Sequence, residues 1–237
     1  MITLAVDTSG PVCGVAIARD GLVVYEGAVV NRMTHSANLM PMLNEALVRS
    51  GVALEQVDQF ACVVGPGSFT GVRIGVSAVK GLAHGAGKPC VAVDALEALA
   101  AGVNDRQAIL CPIQDARAGQ VYGAAFEAGF PPKRLMDDEA AKLDEYLTRA
   151  LLLAGSERSL CFLGDGVAPC RENITAVLGA RAVFAPAHLS TLRPAAVALL
   201  GEARAAEQVD YLTLMPRYLR APQAERARAA QLKAVEP

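Results

Sequence analysis

The residues best placed to do chemistry lie in a glycine-rich segment, 65–75, which reads GPGSFTGVRIG. It follows a predicted strand and opens a predicted helix, where backbone N–H groups and the helix dipole favour an anion. The segment lacks the Gly-Lys-Ser/Thr ending of a P-loop, the third glycine of the dinucleotide fingerprint and the spacing of a nucleophile elbow. The residues alone therefore favour a tight strand-to-helix turn in which Ser68 or Thr70 caps the helix.

A second candidate is the carboxylate of Asp7, which closes the first predicted strand and is followed by Thr8, Ser9 and Gly10. In an active ATPase, a carboxylate at this place positions Mg²⁺ beside phosphates, and the next residues supply backbone donors. The competing interpretation is a structural cap on the turn.

Metal-dependent or nucleophilic catalysis finds little support in the chain. Its three histidines, His35, His84 and His188, include no pair four residues apart, the spacing that puts two zinc ligands on one helix face. The six cysteines form no C-x-x-C pair and sit mostly in apolar stretches, as in an intracellular protein with buried thiols. We therefore assign no catalytic residue and no metal ligand.

The elements that position these residues are a mixture of strands and helices. Strands are predicted at 2–6, 12–18 and 22–30, with Asp20-Gly21 as a tight hairpin turn, then a helix ending at Ser50 with Gly51 as terminator. A strand at 60–64 leads through the glycine-rich turn into a helix over 72–85. The second half has further strands, with helices predicted over 139–153 and 193–206. Two halves that each place strands before helices indicate a duplicated α/β architecture.

Composition excludes several classes of protein. With 53% hydrophobic and 19% charged residues, the chain can bury a large core. Its formal net charge is −2, whereas proteins that bind nucleic-acid phosphates usually carry an excess of basic residues. Basic residues at the end of the chain, such as Arg226, Arg228 and Lys233, are interpreted as a solvated tail. The first residues lack a signal-peptide pattern and no apolar stretch approaches the ~20 residues of a membrane span. We expect a cytoplasmic protein without a membrane association.

Several segments resemble the TsaB (YeaZ) family in order along the chain. They are GPGSFTGVRIG, Asp7-Thr8-Ser9, His35-Ser36, Asp115-Ala116-Arg117, Val121-Tyr122, Gly164-Asp165-Gly166 and Pro216-Arg217-Tyr218-Leu219-Arg220. The resemblance implies a two-lobed α/β fold of the actin, hexokinase and Hsp70 (ASKHA) class with a reduced second lobe. We expect an N-terminal lobe at 1–103 and a smaller C-terminal lobe plus tail at 104–237, with helix 193–206 as a candidate to pack back on the first lobe.

The resemblance also implies a function. The chain would be a non-catalytic scaffold and regulatory partner of a TsaD-type threonylcarbamoyl transferase, with a TsaE-type ATPase as third component, and would meet tRNA through the complex. It would need no cofactor by itself, whereas ATP or ADP and Mg²⁺ would belong to the complex. On this basis we favour the capping role of Asp7 and treat the remnant nucleotide or anion site as Asp7, Thr8, Ser9, Gly65, Gly67, Ser68 and Thr70.

The expected partner surface comes from the two helices that flank strand 60–64. The second of these helices is apolar nearly all round, which indicates burial on more than one side. The predicted contact residues are His35, Leu39, Met42, Leu43, Ala46, Arg73, Val76, Val79, Lys80 and Ala83. The same surface is expected to make a homodimer when the chain is alone.

The alternative function is an active ATP- or metal-dependent enzyme of the same fold, such as a peptidase or a small-molecule kinase. Asp7 and the glycine-rich turn favour it. The missing histidine pair and the missing P-loop count against it.

Overall fold

The first half of the chain forms a five-stranded mixed sheet. A computed structural model describes residues 1–31 and 33–220; the expected solvated tail with Arg226, Arg228 and Lys233 lies outside them. The strands are β1 (Ile2–Asp7), β2 (Cys13–Arg19), β3 (Leu22–Val29), β4 (Gln59–Gly65) and β5 (Cys90–Asp94), in the order β3-β2-β1-β4-β5. β1, β2 and β3 are antiparallel, whereas β4 and β5 run parallel to β1. Asp20 and Gly21 both have positive φ, as the predicted β2–β3 hairpin requires.

The second half repeats this pattern. Its strands are β6 (Ile109–Asp115), β7 (Gln120–Glu127), β8 (Lys133–Lys142), β9 (Leu160–Leu163) and β10 (Ala182–Phe184), in the order β10-β9-β6-β7-β8. Read from the other edge, the order and the strand directions match those of the first sheet. The fold is therefore the duplicated, two-lobed arrangement of the actin, hexokinase and Hsp70 class, and the reduction of the second lobe is visible in the short β9 and β10.

The helices form layers around the two sheets. They are α1 (His35–Ser50), α2 (Phe69–Ala86), α3 (Ala95–Ala100), α4 (Leu143–Ala154), α5 (Val167–Leu178) and α6 (Pro194–Ala203). α1 and α2 cover the outer face of the first sheet, α4 and α5 cover the outer face of the second, and α3 and α6 fill the space between the sheets. None of the described helices is long and apolar enough to cross a membrane.

Alternating side chains along β1 separate the two cores of the first sheet. Leu4 and Val6 point toward α1 and α2, whereas Ala5 points toward α3 and α6. α6 contacts every strand of the first sheet although it comes late in the chain. It approaches so closely that a side chain at Gly201 would lie 2.7 Å from the methyl of Ala61.

The predicted helix over 139–153 is wrong in its first turn. Residues up to Lys142 belong to β8, and the helix begins at Leu143. The sequence Glu139-Ala-Ala-Lys142 has a high helix propensity, but pairing with β7 overrides it. α5 and β10 were not predicted.

Candidate functional site

A cleft of about 600 Å³ opens between the two lobes, where β1 and β6 end. The loop after β1, the first turn of α2 and the end of β6 form its walls, and the segment 217–220 closes one side. The carboxyl ends of strands in α/β sheets commonly hold ligands. An anion site formed by the predicted residues would therefore open into this cleft.

Asp7 lies deep at this end of β1 and is 1% exposed. Its Oδ1 accepts hydrogen bonds from the backbone N–H of Ser9 at 2.8 Å and from the Ser9 hydroxyl at 2.7 Å. Burial raises the pKa of Asp7 to about 6, which outweighs the opposite effect of these two bonds. One carboxylate oxygen thus acts as a turn cap, while Oδ2 is buried without a hydrogen-bond partner in the described chain.

The glycine-rich segment holds the loop after β1 against α2. Ser68 caps the helix, since its hydroxyl accepts from the Gly71 N–H at 3.3 Å. The Ser68 N–H donates to the Ser9 carbonyl at 2.7 Å, and the Thr8 hydroxyl donates to the Gly71 carbonyl at 2.7 Å. A Cβ atom at Gly67 or Gly71 would lie 2.3 Å or 2.1 Å from a carbonyl oxygen of that loop. These two glycines are needed for close packing.

The predicted anion-site residues are only partly brought together. Ser9, Gly67, Ser68 and Thr70 line the cleft, and Asp7 lines a smaller cavity beside it. Thr8 and Gly65 do not line the cleft, because Thr8 is packed under α2 and Gly65 is covered by the backbone of Arg217. The cleft therefore contains fewer of the predicted anion-site residues than the sequence suggested: Ser9, Gly67, Ser68 and Thr70.

The opposite wall comes from the second lobe and was not predicted as a site. Gln114, Asp115, Arg117 and Asp165 line it. Burial raises the pKa of Asp165, and the carboxylate of Asp115 adds to this rise. The duplicated topology offered a signal for this wall, because Asp115 closes β6 as Asp7 closes β1.

A C-terminal strap, residues 208–220, ties α2 to both lobes. The Lys80 ammonium donates to the carbonyls of Leu212 and Leu214 at 3.3 and 3.2 Å, and the Tyr218 ring packs on Phe69. The guanidinium of Arg217 pairs with Asp94 of β5 and with Asp138 of β8. Arg134 pairs with the same two carboxylates. Two cations and two anions therefore bridge the lobes.

The three histidines lie in separate places. His35 hydrogen bonds through Nε2 to the Gly10 carbonyl at 3.0 Å, His84 packs against the Tyr211 ring, and His188 is exposed in a short 3₁₀ turn. No group of three His, Cys, Asp or Glu side chains with the geometry of a metal site occurs within residues 1–31 and 33–220.

The predicted partner surface needs correction. Most of its side chains are buried in the chain's own core: Leu39, Met42, Leu43, Ala46, Val76, Val79 and Ala83. Helical spacing identified the stripe that packs on the first sheet, which is the stripe that cannot face a partner. Of the other three, Arg73 is exposed, while His35 and Lys80 are half-buried. His35 is hydrogen bonded to the Gly10 carbonyl, and Lys80 is hydrogen bonded to carbonyls of the strap.

The solvent side of α1 and α2 carries a different set of residues. Met40 is 55% exposed and Val48 is 71% exposed on α1, whereas Met42 is 8% exposed. On α2 the exposed positions include Arg73, Ser77 and Gly81. The strap adds Leu212, Met215 and Tyr218, all large and exposed. We call this set the outer face.

Comparison with known proteins identifies the family. A family model described as TsaD, tRNA N6-adenosine threonylcarbamoyltransferase, matches residues 29–228. The tRNA threonylcarbamoyladenosine biosynthesis protein TsaB of Bacillus subtilis is 33% identical over 95% of this chain and 96% of its own length. The structure of YeaZ from Pseudomonas aeruginosa superposes with a TM-score of 0.75 and 26% identity, covering 92% of this chain and 99% of that one.

A more distant structure shows the fold alone. The ethanolamine utilization protein EutJ of Carboxydothermus hydrogenoformans gives a TM-score of 0.51 at 15% identity and covers 84% of this chain and 89% of that one. With the glycine-rich segment, the duplicated sheets and a full-length relative all in agreement, the chain belongs to the TsaB (YeaZ) family.

Proposed function

We propose that this chain is a non-catalytic scaffold for a TsaD-type threonylcarbamoyl transferase, acting with a TsaE-type ATPase to modify tRNA adenosine 37 in the cytoplasm. The family relationship supports the pathway, since the Bacillus subtilis relative bears the name of a threonylcarbamoyladenosine biosynthesis protein. The scaffold role itself rests on the outer face. ATP, ADP and Mg²⁺ then belong to the assembled complex, and tRNA is held chiefly by the other subunits.

The observation that carries the scaffold role is the exposure of large apolar side chains on α1 and on the strap, which is hydrogen bonded to α2 through Lys80. Four large apolar side chains of the outer face are each more than half exposed: Met40, Val48, Leu212 and Met215. On α2 the exposed residues include the small Ser77 and Gly81. Small residues allow another helix to approach closely, and flexible Met side chains adapt to a partner. Exposed apolar patches of this kind mark protein–protein contacts.

The cleft supports a non-catalytic role. The Ser9 N–H, which would have to face phosphates in an ATPase, donates to Oδ1 of Asp7, as does the Ser9 hydroxyl. The Ser9 carbonyl accepts from the N–H of Ser68. A catalytic site keeps such donors and acceptors aimed at the reacting group. Here they stabilise the turn.

The test is a charge placed on the outer face. In Met40→Glu, a carboxylate would become buried and unpaired in the complex, so binding of the TsaD-type partner should weaken at least tenfold and transfer to tRNA should fall with it. Leu152→Glu is the matched control, because Leu152 is 78% exposed on α4 of the other lobe. Light scattering of the lone chain should show a dimer that Met40→Glu converts to monomer.

Two results would contradict the proposal. Full partner binding by a folded Met40→Glu variant would place the contact elsewhere. Enzyme-like ATP or peptide turnover by the lone chain, lost in Asp7→Ala, would favour the alternative of an active enzyme.

A further inference from the structure

The C-terminal strap consists of two halves that are held to the protein in different ways. Its first half, residues 208–214, is fastened to the first lobe. Val209 and Cys90 exchange two backbone hydrogen bonds of 2.8 and 2.9 Å, and Lys80 donates to the Leu214 carbonyl at 3.2 Å. The Leu214 side chain is 1% exposed and belongs to the core under α1 and α2. We call residues 208–214 the anchor half.

The second half, residues 215–220, crosses from the first lobe to the second beside the cleft. Its side chains form one wall of the cleft: Arg217, Tyr218, Leu219 and Arg220. Every residue of this half is half-buried or exposed, so burial of apolar surface contributes little to holding it. Its backbone is fixed by the Arg217 N–H, which donates to the Val64 carbonyl of the first lobe at 2.7 Å. We call residues 215–220 the lid half.

Two arginine side chains latch the lid half to the second lobe. The Arg220 guanidinium donates to the carbonyl of Ala116, in the turn after β6, at 2.8 Å. The guanidinium of Arg217 pairs with Asp138 on β8 and with Asp94 at the end of β5. These contacts are polar or ionic, and they are the lid half's attachments across the cleft.

The charged cluster tolerates the departure of one of its cations. The side chains of Asp94 and Asp138 are 9% and 2% exposed, and a buried carboxylate without a cation would be strongly unfavourable. Arg134 pairs with both of these carboxylates from β8 and does not belong to the strap. If Arg217 leaves, the two carboxylates therefore keep one cation between them. Release of the lid half costs less than the rupture of an isolated buried ion pair.

We propose that residues 215–220 form a lid on the cleft, which opens as a unit while the anchor half stays attached. Segments with few buried apolar contacts open at a lower free energy than segments that contribute to a core. The boundary lies after Leu214, where the buried side chain and the bond from Lys80 end the anchor half. Opening removes one wall of the cleft and so controls access to it. The opening of the lid in the lone chain does not depend on the proposed scaffold role.

The experiment is native-state hydrogen exchange on the full-length chain, with two backbone amides resolved by NMR. The Val209 amide reports on the anchor half and the Arg217 amide reports on the lid half, since each donates to a carbonyl of the first lobe. In the wild type, the Arg217 amide should exchange about tenfold faster than the Val209 amide. Asp138→Asn weakens the latch with little change of shape. It should speed exchange at Arg217 by about fivefold or more and leave Val209 unchanged.

Asp137→Asn is the matched control, because Asp137 is the neighbouring residue of β8 and is exposed. It should leave the exchange of both amides as in the wild type. Arg220→Ala removes the latch at the other end of the lid half and keeps the test decisive if Asp138→Asn folds poorly. It should also speed exchange at Arg217 and not at Val209.

Trypsin provides a second measurement, because it can cleave after Arg217 only while the lid is open and the cleavage rate follows the open population. Cleavage at this bond, identified by the mass of the fragment, should be faster in Asp138→Asn and Arg220→Ala than in Asp137→Asn. Equal acceleration of exchange at Val209 and Arg217 would show that the strap opens as one piece and would overturn the proposal. Unchanged exchange at Arg217 in both latch variants would overturn it as well.

Discussion

Replacing Gly71 by alanine should destabilise the protein, whereas the same replacement of Gly81 in the same helix should stabilise it. A Cβ atom at Gly71 would lie 2.1 Å from the carbonyl oxygen of Thr8. The carbonyl belongs to the backbone and the position of the Cβ atom is fixed by the backbone, so neither can turn away. Nothing lies within 4 Å of a Cβ atom at Gly81.

The magnitude follows from three contributions. Forcing the loop after β1 away from α2 costs about 1–3 kcal/mol, as overpacked sites do. It also lengthens the bond from the Thr8 hydroxyl to the Gly71 carbonyl, now 2.7 Å, which is worth about 1 kcal/mol. A gain of up to about 1 kcal/mol in helix propensity opposes these losses. We expect the free energy of unfolding to fall by about 2 kcal/mol for Gly71→Ala and to rise by about 0.5–1 kcal/mol for Gly81→Ala.

Urea unfolding followed by circular dichroism measures both differences. Gly81→Ala controls for the change in composition and in helix propensity, since it lies in the interior of α2. If Gly71→Ala proves as stable as Gly81→Ala, the close packing of the loop on α2 is not what the glycine-rich segment provides. Its glycines would then have to be explained by a ligand.

Three further predictions concern Asp7, Arg217 and nucleic acid. Burial raises the pKa of Asp7 from 3.8 to about 6, so the wild type loses stability as the pH rises through this range. In metal-free buffer, the free energy of unfolding of Asp7→Asn should equal that of the wild type at pH 4. At pH 8 it should be higher by roughly 2–3 kcal/mol, as measured by paired urea curves. Arg217→Ala leaves Arg134 alone between two carboxylates, so hydrogen exchange at the strap should quicken. Arg106→Ala is the control and should leave this exchange unchanged, because Arg106 is exposed in the loop before β6. With a net charge of −2, the lone chain should bind tRNA weakly and with a shallow salt dependence in a filter-binding assay.

The parts of the fold that the sequence predicted well depend on local turn chemistry. Asp20 and Gly21 adopt positive φ and make the hairpin, and Gly51 ends α1 in the left-handed conformation. Such positions can be predicted from the sequence because few residue types tolerate this backbone geometry. The boundary between β8 and α4 was missed because it depends on pairing with β7, which lies outside the local sequence.

The choice between Met40 and Met42 shows where periodicity stops being informative. Met42 recurs at helical spacing in the apolar stripe of α1 and Met40 broadens that stripe, yet Met42 is 8% exposed and Met40 is 55% exposed. An apolar pattern identifies the face that a helix buries in its own fold. A contact surface for a partner has to be found among the residues that remain exposed, and only the packed sheet shows which those are.

The second wall of the cleft was missed for a related reason. Gln114 and Asp165 are 51 positions apart, and no motif joins them; parallel pairing of β6 with β9 brings their loops together. Asp115, by contrast, could have been predicted as the counterpart of Asp7, since both close the first strand of a repeated unit. The duplicated topology is stronger evidence for such pairs than local sequence similarity between the halves.

α2 connects the loop after β1, at the cleft, to the strap and the outer face. Its first turn holds the loop after β1 through Ser68 and Gly71, and its middle holds the strap through Lys80. Its solvent side belongs to the outer face. A partner that displaces α2 along its axis would therefore shift the loop that follows Asp7 and the strap that carries Arg217. The tight packing at Gly71 makes this coupling stiff, because a loop in contact with the helix backbone has to move with it.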